Sequence, residues 1–448
     1  MPGSERGKQR DVRALAFLVA AILFVLGPFQ HAFVDAERYG HHADIMPSDW
    51  KATNVWLEAA ACALERGAWL ALCEDGALVP ISERAIADDP GHALLLGAWS
   101  IVRQRPATLV DVARVNVLVD TLGLLALAGL LWAMRAWLAS LVLLWLGPVE
   151  FLGWMGTAPH WAFIGLVCLA AILPLALAAR ALGLLSRRAA NAWIVAGVAF
   201  LALASLMREV IGMMGLVVTV AVAMVLLLRR HRLLPLLPVL AAAVLAFNAP
   251  RGVVMARDAA FAMQPAQRLA THGLAHTLYL GLGYVENRWG IRYDDDYGEE
   301  IARQAGLVFC SPEYFRLMGR LYLERWAEDP AEVARIYGAK AWMLLAHPTL
   351  SPGPPFGIVL GLAVIHLVLA TALGAWKHFG FEQGEAIEGV AVLFAGLFLA
   401  QAMAALPSHN YAMPVNAFVL VMFGVLVEFA ARGLWTVARR RSGTPAVS

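Results

Sequence analysis

Charged side chains are scarce in this chain: 15% of its 448 residues are Asp, Glu, Lys or Arg, 60% are apolar, and the mean hydropathy is +0.66. Soluble globular domains carry about a quarter charged and roughly half apolar residues, so a water-dissolved domain is excluded. The net charge of +2 gives no reason to invoke nucleic acid. Cysteine is also rare. The four, Cys62, Cys73, Cys168 and Cys310, show no zinc-ligand spacing, while a Cys62–Cys73 bridge and free thiols are both compatible with their positions. The run Asp294, Asp295, Asp296 lacks the alternating spacing and distal glutamate of a calcium loop. The sequence therefore supports neither a cofactor nor a metal, and it shows no internal repeat. No small-x-small cleavage site follows the first apolar run, which reads as an uncleaved anchor.

What the chain has in abundance is long apolar runs. A helix needs about 20 mostly apolar residues to cross a bilayer, and ten stretches approach that: 14–33, 112–134, 137–155, 160–179, 192–207, 210–228, 233–247, 355–375, 387–406 and 412–429. The expected fold is an all-α polytopic membrane protein of about ten transmembrane helices. Basic residues fall on one side if these alternate: Arg6, Lys8, Arg10 and Arg13, then Arg135, then Arg180, Arg187 and Arg188, then Arg229, Arg230 and Arg232, then Arg439, Arg440 and Arg441. The positive-inside rule makes that side cytoplasmic, with both termini. Residues 34–106, with 11 acidic against 6 basic side chains, then lie outside.

The two long connections, 34–106 and 248–354, are both external. Three regions follow: residues 1–247, a transmembrane module with the first external loop; 248–354, an external region with amphipathic helices; and 355–448, the last transmembrane helices. Within the first loop, "WKATNVWLEAAACALERG" after Ser48 or Asp49 and "GHALLLGAWSIV" after Asp89-Pro90 predict two interfacial helices, the second opened by a cap and a proline. Ser311-Pro312 opens another helix, and Asp329-Pro330-Ala331-Glu332 resembles a capping box.

An ionisable side chain in hydrocarbon is expensive unless it is paired or faces a cavity, so depth is informative. Asp35 and Glu37 follow the first run. Arg114, Asn116 and Asp120 lie in the outer half of the second, Glu150 near the end of the third, His160 at the start of the fourth, Arg208 and Glu209 between the fifth and sixth, and His409 and Tyr411 between the last two. They outline a polar bowl at the external face. Asn116 and Asp120 share a helix face and could equally bond a neighbouring helix; Arg208-Glu209 could be a solvated turn.

"DAERYGHHADIMPSDW", followed by "DDPGHALLLGAW" and "ARVNVLVDTLGLLAL", resembles the first external loop and second-span entry of GT-C fold glycosyltransferases, closest to the lipid A aminoarabinose transferase and protein mannosyltransferase branch. The resemblance covers about the first 130 residues and the overall topology. It implies inverting transfer of a sugar from a polyprenyl-phosphate donor to a glycan, lipid or protein acceptor at the external face of the inner (cytoplasmic) membrane. Asp35 then maps onto the catalytic aspartate and Arg38 and Tyr39 onto its neighbours. Alanine separates Asp35 from Glu37 where the family has adjacent Asp-Glu, so the base is one of these two. Arg114, His160, Arg208 or His409 would hold the donor phosphate, with Arg38, Tyr39, Asp120, Glu150 and Tyr411 as substrate contacts. A secondary transporter, or a polysaccharide polymerase or ligase acting on lipid-linked glycans, are the competing readings.

Overall fold

A computed structural model describes residues 3–39, 50–81, 90–155, 163–229, 236–263, 273–347, 354–407 and 414–441, with side chains throughout these ranges except at 3–13, 37–39, 50–52, 148–155, 163, 164, 440 and 441. The chain is almost entirely helical. Two helices, α1 (Gly3–Phe24) and α2 (Gln30–Tyr39), are joined by a π-helical turn, Val25–Phe29, that contains Pro28. There follow α3 (Trp50–Arg66), a hairpin of β1 (Ala71–Glu74) and β2 (Ala77–Pro80), and α4 (Pro90–Arg103). The bundle continues through α5 (Leu109–Ala133), α6 (Trp137–Met155), α7 (Phe163–Ala181), α8 (Arg187–Met207), α9 (Glu209–Leu228), α10 (Leu237–Phe247) and α11 (Ala249–Phe261). An outer unit comprises α12 (Gly273–Gly281), α13 (Asp295–Gln304), α14 (Pro312–Glu328) and α15 (Pro330–Ala346). Last come α16 (Phe356–Ala372), the short α17 (Ala375–His378), α18 (Glu382–Ala404) and α19 (Val415–Arg441).

The protein is a multi-pass membrane protein. Among the described residues six helices are long and apolar enough to cross a bilayer: Ala14–Ala36, Leu109–Ala133, Arg187–Met207, Glu209–Leu228, Glu382–Ala404 and Val415–Arg439. The pair α10 and α11, bent by 56° at Asn248, makes a seventh if it counts as one span. Three of the sequence's ten stretches fall on shorter apolar helices, Trp137–Gly147, Gly165–Ala181 and Phe356–Ala372.

Packing explains which helices meet lipid. From Leu166 to Leu177 every side chain of α7 is buried, as expected of a helix that is apolar all round. On α1, the π-helical turn after it and α16, by contrast, Leu15, Leu18, Ile22, Leu26, Leu362, Ile365 and Leu369 stay exposed. Such exposed apolar surfaces suit contact with lipid. Close approach of α5 and α7 depends on glycine: a Cβ on Gly165 would stand 2.1 Å from Asp120 Cα, and one on Gly123 would stand 2.2 Å from Gly165 O. Small residues give membrane helices this intimacy, where no hydrophobic drive separates protein from lipid.

Hydrogen bonds define the two ends of the bundle. At one, Arg432 donates to Arg135 O (2.9 Å) and Gly380 O (2.7 Å), Leu138 N–H donates to Glu428 Oε2 (3.0 Å), and Arg229 pairs with Glu385 (2.6 Å). This basic end gathers the short connections. The opposite, loop end carries α3, α4, the hairpin and the outer unit. A Cys62–Cys73 disulfide with Cα atoms 5.5 Å apart ties α3 to β1, and Arg257 of α11 reaches the same hairpin, donating to Leu70 O at 2.8 Å. Cys168 and Cys310 are buried thiols.

The outer unit is built from caps and a tyrosine-rich core. Ser311 accepts from Tyr314 N–H (3.2 Å), and Asp329 accepts from the N–H groups of Ala331 and Glu332 (3.1 Å each). Only the Asp329 half of the expected capping box forms, because the Glu332 carboxylate pairs with Arg335 (2.6 and 2.8 Å). The reciprocal box lies elsewhere, between Thr108 and Asp111 at the start of α5. Asp294 caps α13, and Asp295 accepts from His276 at 3.1 Å, whose other ring nitrogen meets the Tyr314 hydroxyl at 2.7 Å.

Candidate functional site

Several of the polar residues read from the sequence meet at the loop end, around the first turns of α5. Asp35 closes the last described side-chain turn of α2, where His31 Nδ1 lies 2.9 Å from its Oδ2; the carboxylate side chain is 20% exposed and the histidine 80%. Arg114 of α5 reaches toward the same turn, its guanidinium carbon 5.3 Å from the centroid of the Phe33 ring. Arg114 thus packs on α2 two residues before Asp35.

A second group forms around α4. Gly91 seats the first turn of α4 against the end of α8: a Cβ there would come within 2.8 Å of Leu206 C and O and of Met207 Sδ. His92, next in the chain, is buried, with its ring stacked on Trp56 at 4.2 Å and 7°. Its Nε2–H donates to Asn116 Oδ1 at 3.1 Å, fixing the tautomer. Burial pushes the His92 imidazole down to about 4, with the Arg208 charge adding to it and the Asn116 bond opposing. The ring is therefore neutral at physiological pH. Arg208 itself is the extended residue that breaks α8 from α9, its N–H given to Ala204 O (2.8 Å) and its carbonyl accepting from Ile211 and Gly212 N–H (3.0 and 3.2 Å).

Arg114 and Asn116 are two residues apart, hence about 200° around the axis of α5. The single bowl read from depth therefore divides: Arg114 points toward Phe33 of α2, and Asn116 toward His92 of α4, whose first turn is seated on the end of α8 beside Arg208. Asp120 lies one turn deeper than Asn116. It is fully buried and its Oδ1 accepts from the Gly165 N–H at 2.5 Å, so it satisfies one of the amides left unpaired at the start of α7. Glu37, Arg38, Tyr39 and Glu150 lie on described helical backbone, with side chains outside the described set, and His160, His409 and Tyr411 lie outside the described residues.

Reasoning from sequence missed His92, which looks like one polar break in the apolar stripe of "GHALLLGAW". It also missed Lys340 in the outer unit and a His366–Glu388 pair toward the opposite end. Lys340 of α15 is fully buried, and burial pushes its ammonium down to about 7. His366 of α16 pairs through Nδ1 with Glu388 of α18 at 2.8 Å, walled by Trp376 and Phe429. That pair lies toward the basic end, so ionisable groups within the helices are not confined to the loop end. A lone charged residue inside an apolar run was the available signal. Among the described residues no group of three or more His, Cys, Asp or Glu side chains is placed to hold a metal ion. Comparison with protein-family models, curated proteins and solved structures returns no match.

Proposed function

We propose that this chain is an integral membrane glycosyltransferase of the GT-C type, moving a sugar from a polyprenyl-phosphate donor to a glycan, lipid or protein acceptor. The observation that carries the reading is the placement of Asp35, paired with His31, on the same helix that Arg114 of α5 packs against at Phe33. A carboxylate suits removal of the acceptor's proton, and a guanidinium on the neighbouring helix suits the phosphate that leaves. Both are wanted within one small volume at headgroup depth. Glu37 shares the turn with Asp35 and competes for the role of base. The disulfide in the first long connection fits an oxidising, external compartment, and the basic opposite end fits the cytoplasm. On this reading the three shorter apolar helices also cross, giving ten spans in the inner membrane with both termini cytoplasmic.

The test is donor turnover by the purified protein in nanodiscs, scored as sugar released to water so that the acceptor need not be known. One of Asp35→Asn and Glu37→Gln should lower the rate by about two orders of magnitude or more, and Arg114→Gln should weaken donor binding. Wild-type rates in both carboxylate variants would remove the proposed chemistry.

A secondary transporter is favoured by one specific pair of observations, the buried His366–Glu388 contact and the broken helix α10–α11, since transporters place ionisable groups on or beside interrupted helices. Proton-coupled solute uptake abolished by Glu388→Gln, with no donor turnover, would select it.

A further inference from the structure

The exposed face of α15 changes character along its length. Arg335 and Trp342 are seven residues apart, so they lie on one face of the helix, about 10 Å apart along its axis. Arg335 is half exposed and paired with Glu332. Trp342 is 71% exposed, and Gly338, Met343 and Ala346 are exposed around it. Lys340, the one ammonium in this half of α15, is turned inward and fully buried. From Ala341 to Trp376 the chain holds no Asp, Glu, Lys or Arg.

Contacts on either side fix the depth of that indole. Lys340 donates to Ala404 O, at the end of α18, one of the helices long and apolar enough to cross a bilayer. This turn of α15 therefore stands level with the loop end of a span. Just beyond Trp342, Phe356 N–H donates to His347 O at 2.8 Å, and Gly357 is seated on Leu345, where a Cβ would come within 3.1 Å of Leu345 Cβ and O. At that joint α16 begins, with Ile358, Leu362, Ile365 and Leu369 forming one stripe, each more than half exposed. The apolar end of α15 is thus fastened to the start of a face suited to lipid.

A protein partner would be met by an apolar patch with a polar rim. This patch has charge on one side only, at Arg335, and on the other it leads to the α16 stripe. Tryptophan is enriched where bilayer meets water, its ring on the apolar side and its N–H among headgroups. We propose that the last turns of α15, from Trp342 to Ala346, rest on the bilayer, with the Trp342 indole at the boundary between headgroups and acyl chains. The outer unit is then moored to the lipid surface by α15, with Arg335 and the N-terminal half of the helix in water. The mooring stands whether or not the chain transfers sugar.

The experiment uses the full chain in phosphatidylcholine nanodiscs. Cys62 and Cys73 are bonded to each other and Cys168 and Cys310 are buried, so a cysteine introduced on this face is the accessible thiol. A nitroxide is attached in turn to Arg335→Cys, Trp342→Cys and Ala346→Cys, and its relaxation by oxygen, which partitions into lipid, is compared with that by a water-soluble nickel chelate. Nickel should dominate at 335, and the order should reverse at 342 and 346. Nickel dominant at 342 and 346 as well overturns the mooring, and so does a 342 label shielded from both agents, which would mean that protein covers the face. The native indole gives a second reading: the emission of wild type minus that of Trp342→Phe should be quenched more by lipid brominated near the top of its acyl chains than by iodide in the buffer, and the opposite order overturns the proposal. Gel filtration against wild type checks folding, and a misfolded cysteine variant leaves the decision to the indole.

Discussion

Substituting Lys340 by Met asks how a fully buried ammonium is carried. Its Nζ donates to Gly281 O at 2.9 Å and Ala404 O at 3.4 Å, the last residues of α12 and α18, and lies 5.7 Å from the Tyr337 ring centroid. Two helix C-termini favour the cation, yet among the described residues no carboxylate pairs with it. Burial prevails and lowers its proton affinity to about 7. Between pH 7 and the ordinary lysine value of about 10.4, the folded state then binds fewer protons than the unfolded chain. Stability must rise with pH across that window, by up to about 1.4 kcal/mol per unit, and this group adds no slope below it. Met keeps the unbranched stem and cannot titrate. Its advantage over wild type should therefore be largest at pH 6 and should shrink by about 2–3 kcal/mol by pH 9. Hydrogen exchange at Tyr279, Leu280, Gly281 and the last turn of α18, corrected for intrinsic rates, reads this locally. A difference between variant and wild type that stays constant from pH 6 to 9 would refute the argument.

Three other perturbations follow from the geometry. Cys62 and Cys73 are 11 residues apart, so opening the bridge with Cys73→Ser should cost about 2–3 kcal/mol; a melting curve of wild type indifferent to reductant would contradict it. Asp120→Ala strips the acceptor from Gly165 N–H and should cost about 1–3 kcal/mol, whereas Asp120→Asn keeps an oxygen there and should cost less; equal losses by denaturation would show that this bond is not what matters. His92 is held down at about 4, below the ordinary value of about 6.5, so the unfolded chain binds the extra proton between those values. Stability is then lost as pH falls from 6.5 toward 4, and His92→Phe should flatten that fall; parallel melting profiles for the two proteins from pH 7.5 to 5 would deny it.

Hydropathy marked α1, α5 to α10, α16, α18 and α19, because the cost of exposing backbone and charge to lipid is paid locally, residue by residue; α11, which the sequence reading places in an external loop, went unmarked. Caps were legible for the same reason: Ser311-Pro312 and Asp329-Pro330 begin helices where the chain says they should. The second half of the Asp329 box failed because Glu332 found Arg335 one turn on, a choice between two local partners of similar worth. The Thr108–Asp111 box escaped notice because aspartate takes the place of the usual glutamate or glutamine. Asn116 and Asp120 were recognisable as sharing a face, but their partners, His92 and Gly165, are set by how α4 and α7 pack, which no local pattern encodes. His92 and Lys340 were hidden for that reason too: each interrupts an apolar stripe once, and one interruption looks the same whether its side chain snorkels to water or is enclosed.

Depth and angle carry different information about a membrane site, and the first turns of α5 show why both are needed. Grouping polar residues by depth placed Asp35, Arg114, Asn116 and Arg208 at one rim. Helical period places Arg114 and Asn116 about 200° apart, and the contacts agree, with Phe33 on one side and His92 on the other. A transfer reaction needs base and phosphate within a few ångströms, so a rim shared by both groups cannot serve one reaction across the width of α5. That reasoning separates Arg114, which packs on α2 at Phe33, from Asn116 and its partner His92. It yields an ordering: Arg114→Gln should impair donor turnover together with Asp35→Asn or Glu37→Gln, while Arg208→Gln should leave the turnover rate at saturating donor within about twofold. A large loss of that rate in Arg208→Gln, with the protein still folded, would return the two groups to one site.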